Sequence, residues 1–71
     1  MKQKNYIKAK SFFDGKFLDG TFSEVREKLS TEVWNPEMFI VILPDGTKEF
    51  GDDFLENYLE LCLKFEVTYN T

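Results

Sequence analysis

With no histidine and a single cysteine, Cys62, this 71-residue chain has neither a disulfide nor a conventional zinc site to hold it together. A domain this short buries only roughly 60% of the surface that its unfolded chain exposes. Its core supplies only about 3–5 kcal/mol. Two supports remain, dense apolar packing and association with another chain. The sequence is equipped for both, with eight Phe, three Tyr and Trp34, each aromatic bringing about 150–250 Å² of contact when buried. We read residues 1–71 as one domain.

Alternation along Tyr6–Phe13 sets Ile7, Ala9, Ser11 and Phe13 on one side and Lys8 and Lys10 on the other, the period of a strand. Asp14-Gly15 reads as a two-residue hairpin turn, whose central positions require positive φ. A short return strand over Lys16–Leu18 ends at Asp19-Gly20. Thr21 with Glu24 three residues on has the form of a capping box. Phe22, Val25 and Leu29 give the following helix a narrow apolar stripe, and Glu24 and Lys28 form an i,i+4 pair. Pro36 closes a connection from Thr31. Met38–Leu43 is apolar throughout, which predicts a central strand covered on both faces. Pro44-Asp45-Gly46 turns the chain into a partner strand over Thr47–Phe50. Asp52 or Asp53 is placed to cap a second helix running to about Lys64. Phe65, Val67 and Tyr69 then alternate as a last short strand.

The two halves echo each other as a weak internal ββα pseudo-repeat. Asp14-Gly15 corresponds to Asp45-Gly46, and Phe22 and Leu29 correspond to Phe54 and Leu61. The expected fold is α+β: a small antiparallel sheet of four or five strands with two helices on one face, in ββαββα order with or without a final strand. The segment Phe39–Phe50, Phe-Ile-Val-Ile-Leu-Pro-Asp-Gly-Thr-Lys-Glu-Phe, resembles the opening hairpin of small β-grasp regulatory domains such as those attached to tRNA synthetases. The likeness covers twelve residues, and the basic first strand departs from it, so it implies no function for this chain.

Several kinds of chemistry lack their parts. Without histidine there is no Ser-His-Asp or Cys-His arrangement. Cys62 lies among Leu59, Leu61 and Leu63, surroundings that keep a thiol protonated and inert. The four glycines form no phosphate-cradling loop. Asp45–Glu56 has the length of a calcium loop, but Phe50 occupies the sixth position, where the sharp turn requires glycine. We expect a non-enzymatic protein with no cofactor and no bound metal. The longest apolar run, Met38–Leu43, is far short of the roughly 20 residues of a membrane span, and no apolar stretch follows the basic N-terminus to make a secretory signal. The lone cysteine and the absence of an Asn-x-Ser/Thr site fit a cytoplasmic location.

Charge is distributed unevenly. Up to Lys16 five lysines face Asp14 alone, whereas from Phe17 onward four basic residues face twelve acidic ones. A negative body repels nucleic acid and attracts basic proteins. The second helix concentrates this charge: Asp52, Asp53, Glu56 and Glu60, with Glu49 just upstream, form an acidic ridge whose spacing imitates a phosphate track or simply faces solvent, and Lys64 can pair with Glu60. Beside it, Phe54, Tyr58, Leu61, Cys62 and Phe65 make one apolar face and Leu55, Leu59 and Leu63 a second stripe, an arc wide enough to serve the core alone or to seat a partner. Tyr58 suits the edge of such an interface, and Trp34 either anchors a partner or caps the core. The functional expectation is a protein-binding module, an inhibitor or regulator of a basic, nucleic-acid-handling protein, with Glu49, Asp52, Asp53, Glu56, Glu60, Trp34 and Tyr58 as contact residues. That profile, small, aromatic and without catalytic groups, also suits the accessory proteins of phages and mobile elements. The alternative is a self-associating domain whose second helix forms a homodimer seam. Direct binding to nucleic acid or to membrane is not expected.

Overall fold

The computed structural model describes residues 6–67. Strands β1 (Tyr6–Ser11) and β2 (Phe17–Thr21) lead into helix α1 (Phe22–Thr31); after a 3-10 turn at Pro36–Met38 come β3 (Phe39–Ile42), β4 (Lys48–Phe50) and two short helices, α2 (Gly51–Glu56) and α3 (Tyr58–Lys64). The fold is the α+β arrangement expected, a four-stranded antiparallel sheet in the order β2-β1-β3-β4. The two hairpins therefore meet through their first strands, β1 against β3.

Alternation within the strands decides what is covered. Ile7, Ala9 and Ser11 of β1, Leu18 of β2 and Phe39 and Val41 of β3 point inward and are buried. The helices lie on this side. Their buried side chains, Phe22, Val25, Leu29, Phe54, Tyr58, Leu61 and Cys62, complete one core, and Phe22 joins Phe54 and Phe65 with ring centroids 5.9 Å apart in each pair.

Local hydrogen bonding explains the element boundaries. The capping box is present: the Glu24 N–H donates to the Thr21 Oγ1 and the Thr21 N–H donates to the Glu24 carboxylate. That use of Glu24 removes it from the pair expected with Lys28, whose ammonium instead donates to the Asp19 carbonyl. The first turn is longer than two residues. The Gly15 N–H donates to the Ser11 carbonyl, and the Ser11 Oγ accepts from Phe13 and Asp14, so Phe12–Gly15 form a four-residue loop with positive φ at Gly15 alone. Strand β1 thus ends at Ser11, and Phe13 does not continue its inner face. Strand β2 runs through Asp19-Gly20 instead of ending there, because Gly20 takes a φ of 146° within the ladder.

The second helix is also interrupted. Asn57, with φ −99° and ψ 20°, divides it into α2 and α3, although the Asn57 N–H still reaches the Asp53 carbonyl and the Leu61 N–H the Asn57 carbonyl. Neither Asp52 nor Asp53 caps it; the N-cap is Phe50, with no side-chain hydrogen bond, and the Asp52 carboxylate accepts from the Asp53 N–H. Beyond Lys64 the chain turns instead of forming a strand. The Glu66 N–H bonds the Leu63 carbonyl and the Val67 N–H the Cys62 carbonyl, with Glu66 at φ 57°, the hydrogen-bond pattern of a Schellman ending. Tyr69, the last residue of the expected strand, lies outside the described residues.

Candidate functional site

The second face of the sheet is built by the residues out of phase with the core. Register places them in rows. Asp19, Lys8, Ile42 and Lys48 stand side by side across the four strands, and so do Phe17, Lys10, Ile40 and Phe50. Tyr6 extends this face at one end. Phe12 extends it at the other, its ring 6.4 Å from that of Phe50 in an edge-on arrangement. None of the described elements packs on this side. Phe17 is 54% exposed, Phe50 48% and Ile42 40%. An open groove of about 520 Å³ crosses the face, its walls including Lys10, Phe12, Gly15, Ile40, Ile42 and Lys48.

Phe12, Phe17, Ile42 and Phe50 thus leave apolar surface open on this face. Its charge has one dominant sign: Lys8, Lys10 and Lys48 lie in the rows against Asp19 alone. Lys8 and Lys10 of the basic N-terminal part thus share this face with Lys48, while the carboxylates of the second helix lie outside it. The expectation that both faces of the β3 segment are covered is incorrect. Val41 is buried, but Ile40 is half-buried and Ile42 exposed, because the helices reach only one side.

The residues singled out from the sequence are distributed differently. Asp52, Glu56 and Glu60 are exposed, Asp53 is partly covered, and none makes an ion pair with a described residue. They do not share one unbroken helix, since Asn57 separates Glu60 from the others. Glu49 lies in β4 opposite Val41, on the helix side of the sheet and half-buried. Lys64 sits 3.9 Å from the Asp45 carboxylate and not with Glu60. Trp34 is 86% exposed, which excludes a role as a lid on the core.

Tyr58 is no interface edge. It is 4% exposed, with its ring against Phe54 and the Arg26 guanidinium 4.9 Å from its centroid. Its hydroxyl has no hydrogen-bond partner among the described residues, and burial, with the neighbouring Cys62 thiol as a second cause, pushes its pKa up to about 12. Burial also pushes up the Cys62 thiol, which is fully enclosed. The carboxylates in the turns are held below their ordinary range, Asp14 chiefly by the Lys16 N–H and Asp45 chiefly by the Thr47 hydroxyl. Both are exposed groups that stabilise their turns.

Among the described residues no three His, Cys, Asp or Glu side chains converge where a metal ion could sit, and no helix is long and apolar enough to cross a membrane. The apolar excess on the second helix divides three ways, with Leu55 and Phe65 partly buried against the core. Phe54, Tyr58, Leu61 and Cys62 belong to the core, whereas Leu59 and Leu63 are 57% and 70% exposed. Compared with family models, curated proteins and solved structures, the chain matches none of them.

The sheet-face residues were accessible to sequence reasoning one strand at a time. Lys8 and Lys10 alternate with Ile7 and Ala9, and Phe17 is out of phase with Leu18. What alternation lacks is strand order, and the order β2-β1-β3-β4 is what assembles four separate patterns into one surface.

Proposed function

We propose that this protein is a non-enzymatic protein-binding module whose contact surface is the uncovered face of its sheet. The observation that carries the reading is the cross-strand row Phe17–Lys10–Ile40–Phe50, with Lys8 and Lys48 in the row beside it. The matching partner chemistry is a protein segment that combines apolar side chains with carboxylates. Phenyl rings and isoleucines supply desolvation, roughly 25 cal/mol for each Å² of apolar surface covered, while the lysines steer an acidic partner and fix its register.

Affinity capture from a cell lysate tests this, comparing the wild type with a Lys8→Glu, Lys10→Glu, Lys48→Glu variant whose circular dichroism is unchanged. The variant is expected to lose the partner at low salt, and the wild type to lose much of it at high salt. Undiminished capture by the variant rejects the sheet face. A second reading draws on the exposed carboxylates Asp52, Glu56 and Glu60, none in an ion pair among the described residues. In it the acidic helical side holds a basic protein, including one that handles nucleic acid, and charge reversal at Asp53, Glu56 and Glu60 abolishes capture while the lysine variant retains it.

A further inference from the structure

Two surfaces carry exposed apolar side chains that no described element covers, and their charges are of opposite dominant sign. On α3, Leu59 and Leu63 stand exposed one helical turn apart, with Glu60 and Lys64 at neighbouring helical positions and Glu56 at the end of α2. On the outer sheet face, Phe17, Ile42 and Phe50 stand exposed among Lys8, Lys10 and Lys48. We infer that the occupant of the sheet face is a second copy of this chain, docked head to tail, with the Leu59–Leu63 stripe of one copy laid across the lysine-flanked sheet face of the next. The inference rests on the reading of that face as a contact surface and supplies its partner.

Charge selects this arrangement over the symmetric ones. Pairing two sheet faces gathers the Lys8, Lys10 and Lys48 of both copies around only Asp19 from each, leaving like charge in a desolvated interface. Pairing two α3 stripes gathers Glu60 of both copies, with Glu56 at the end of α2 close by in sequence, and only Lys64 from each copy offsets them. Only the head-to-tail contact brings the lysine-rich set of one copy against the carboxylate-rich set of the other. Dimensions agree. Helix α3 spans residues 58–64, about 10 Å at 1.5 Å per residue, and fits within the platform roughly 15–20 Å wide that four strands spaced about 4.8 Å apart offer. The result repeats on the outer face the helix-on-sheet layering that already covers the inner one. A heterologous contact of this kind leaves a free sheet face at one end and a free helix at the other, so association continues beyond the dimer or closes into a ring.

Two variants with substitutions at exposed positions test the inference on purified protein, each first shown by circular dichroism to be folded: Lys8→Glu with Lys10→Glu on the sheet, and Leu59→Glu with Leu63→Glu on the helix. Sedimentation should show the wild-type mass rising with concentration past that of a dimer, and falling again at high salt. Each variant alone should remain a monomer. Mixed in equal amounts, the two should form a one-to-one complex and stop there, because the helix variant keeps an intact sheet face and the sheet variant an intact helix. A wild type that is monomeric at its highest soluble concentration overturns the inference, as does one that saturates as a dimer or a mixture that stays monomeric. If the purified wild type is monomeric while the lysine variant loses a captured partner, self-association alone fails and the sheet face stands as a contact surface. A monomer that retains an added acidic peptide or single-stranded oligonucleotide through the same lysines also overturns it, assigning the face to that ligand.

Discussion

Phe54→Ala is expected to leave the chain largely unfolded at room temperature. Phe54 is fully buried, with its ring 5.9 Å from that of Phe22 and 5.7 Å from that of Tyr58. It ties the helix of the second hairpin unit to the helix of the first. Truncating a buried phenylalanine costs about 3–5 kcal/mol, part of it for the cavity left behind. A core of this size supplies about 3–5 kcal/mol in total, so one substitution removes most or all of the margin. Far-ultraviolet circular dichroism and a urea titration measure the effect directly. The comparison variant is Leu59→Ala, on the exposed stripe of α3, which is expected to stay within about 0.5 kcal/mol of wild type when measured as a dilute monomer.

Gly51→Ala is expected to produce the second large loss, for the opposite reason. Gly51 opens α2 and is buried against the 3-10 turn. A Cβ added there falls against the Pro36 carbonyl oxygen, much closer than van der Waals contact, and lies 3.3 Å from the Phe39 Cβ. The obstacle is backbone, so no rotamer change relieves it, and either α2 or the Pro36–Met38 turn must move. Overpacking costs about 1–3 kcal/mol and sometimes more. At the upper end that lowers the melting temperature by roughly 12–24 °C in a domain of this size. A melting temperature within about 3 °C of wild type shows that the close approach of α2 to Pro36 is not a fixed feature of the fold.

How much of this was legible in the sequence follows from the range of each signal. The capping box at Thr21 and Glu24 was readable because it is made by residues three apart. The ββαββα order followed from alternation and from glycines at turns, which are equally local. Gly51 reads as a simple strand breaker, and its real constraint, contact with Pro36, depends on tertiary approach. The break at Asn57 left no mark in the spacing of Phe54, Tyr58 and Leu61, which stay on one buried face across it. The candidate site was the least legible part. Acidic residues close in sequence drew attention to the second helix, whereas the sheet face combines Lys8 and Lys10 with Phe17, Ile40 and Phe50 from four strands. Exposure of Trp34 and burial of Tyr58 likewise depend on where the helices settle, which residue type alone does not encode.

In the proposed mode of binding, the uncovered sheet face makes the contact. Site-specific photocrosslinking tests it most directly, with a photoreactive side chain placed at Phe17, at Phe50 or, on exposed α1 for comparison, at Glu27. Covalent adducts with another polypeptide are expected from positions 17 and 50, suppressed at high salt, and none from position 27. Adducts from position 27 with none from 17 or 50 contradict it.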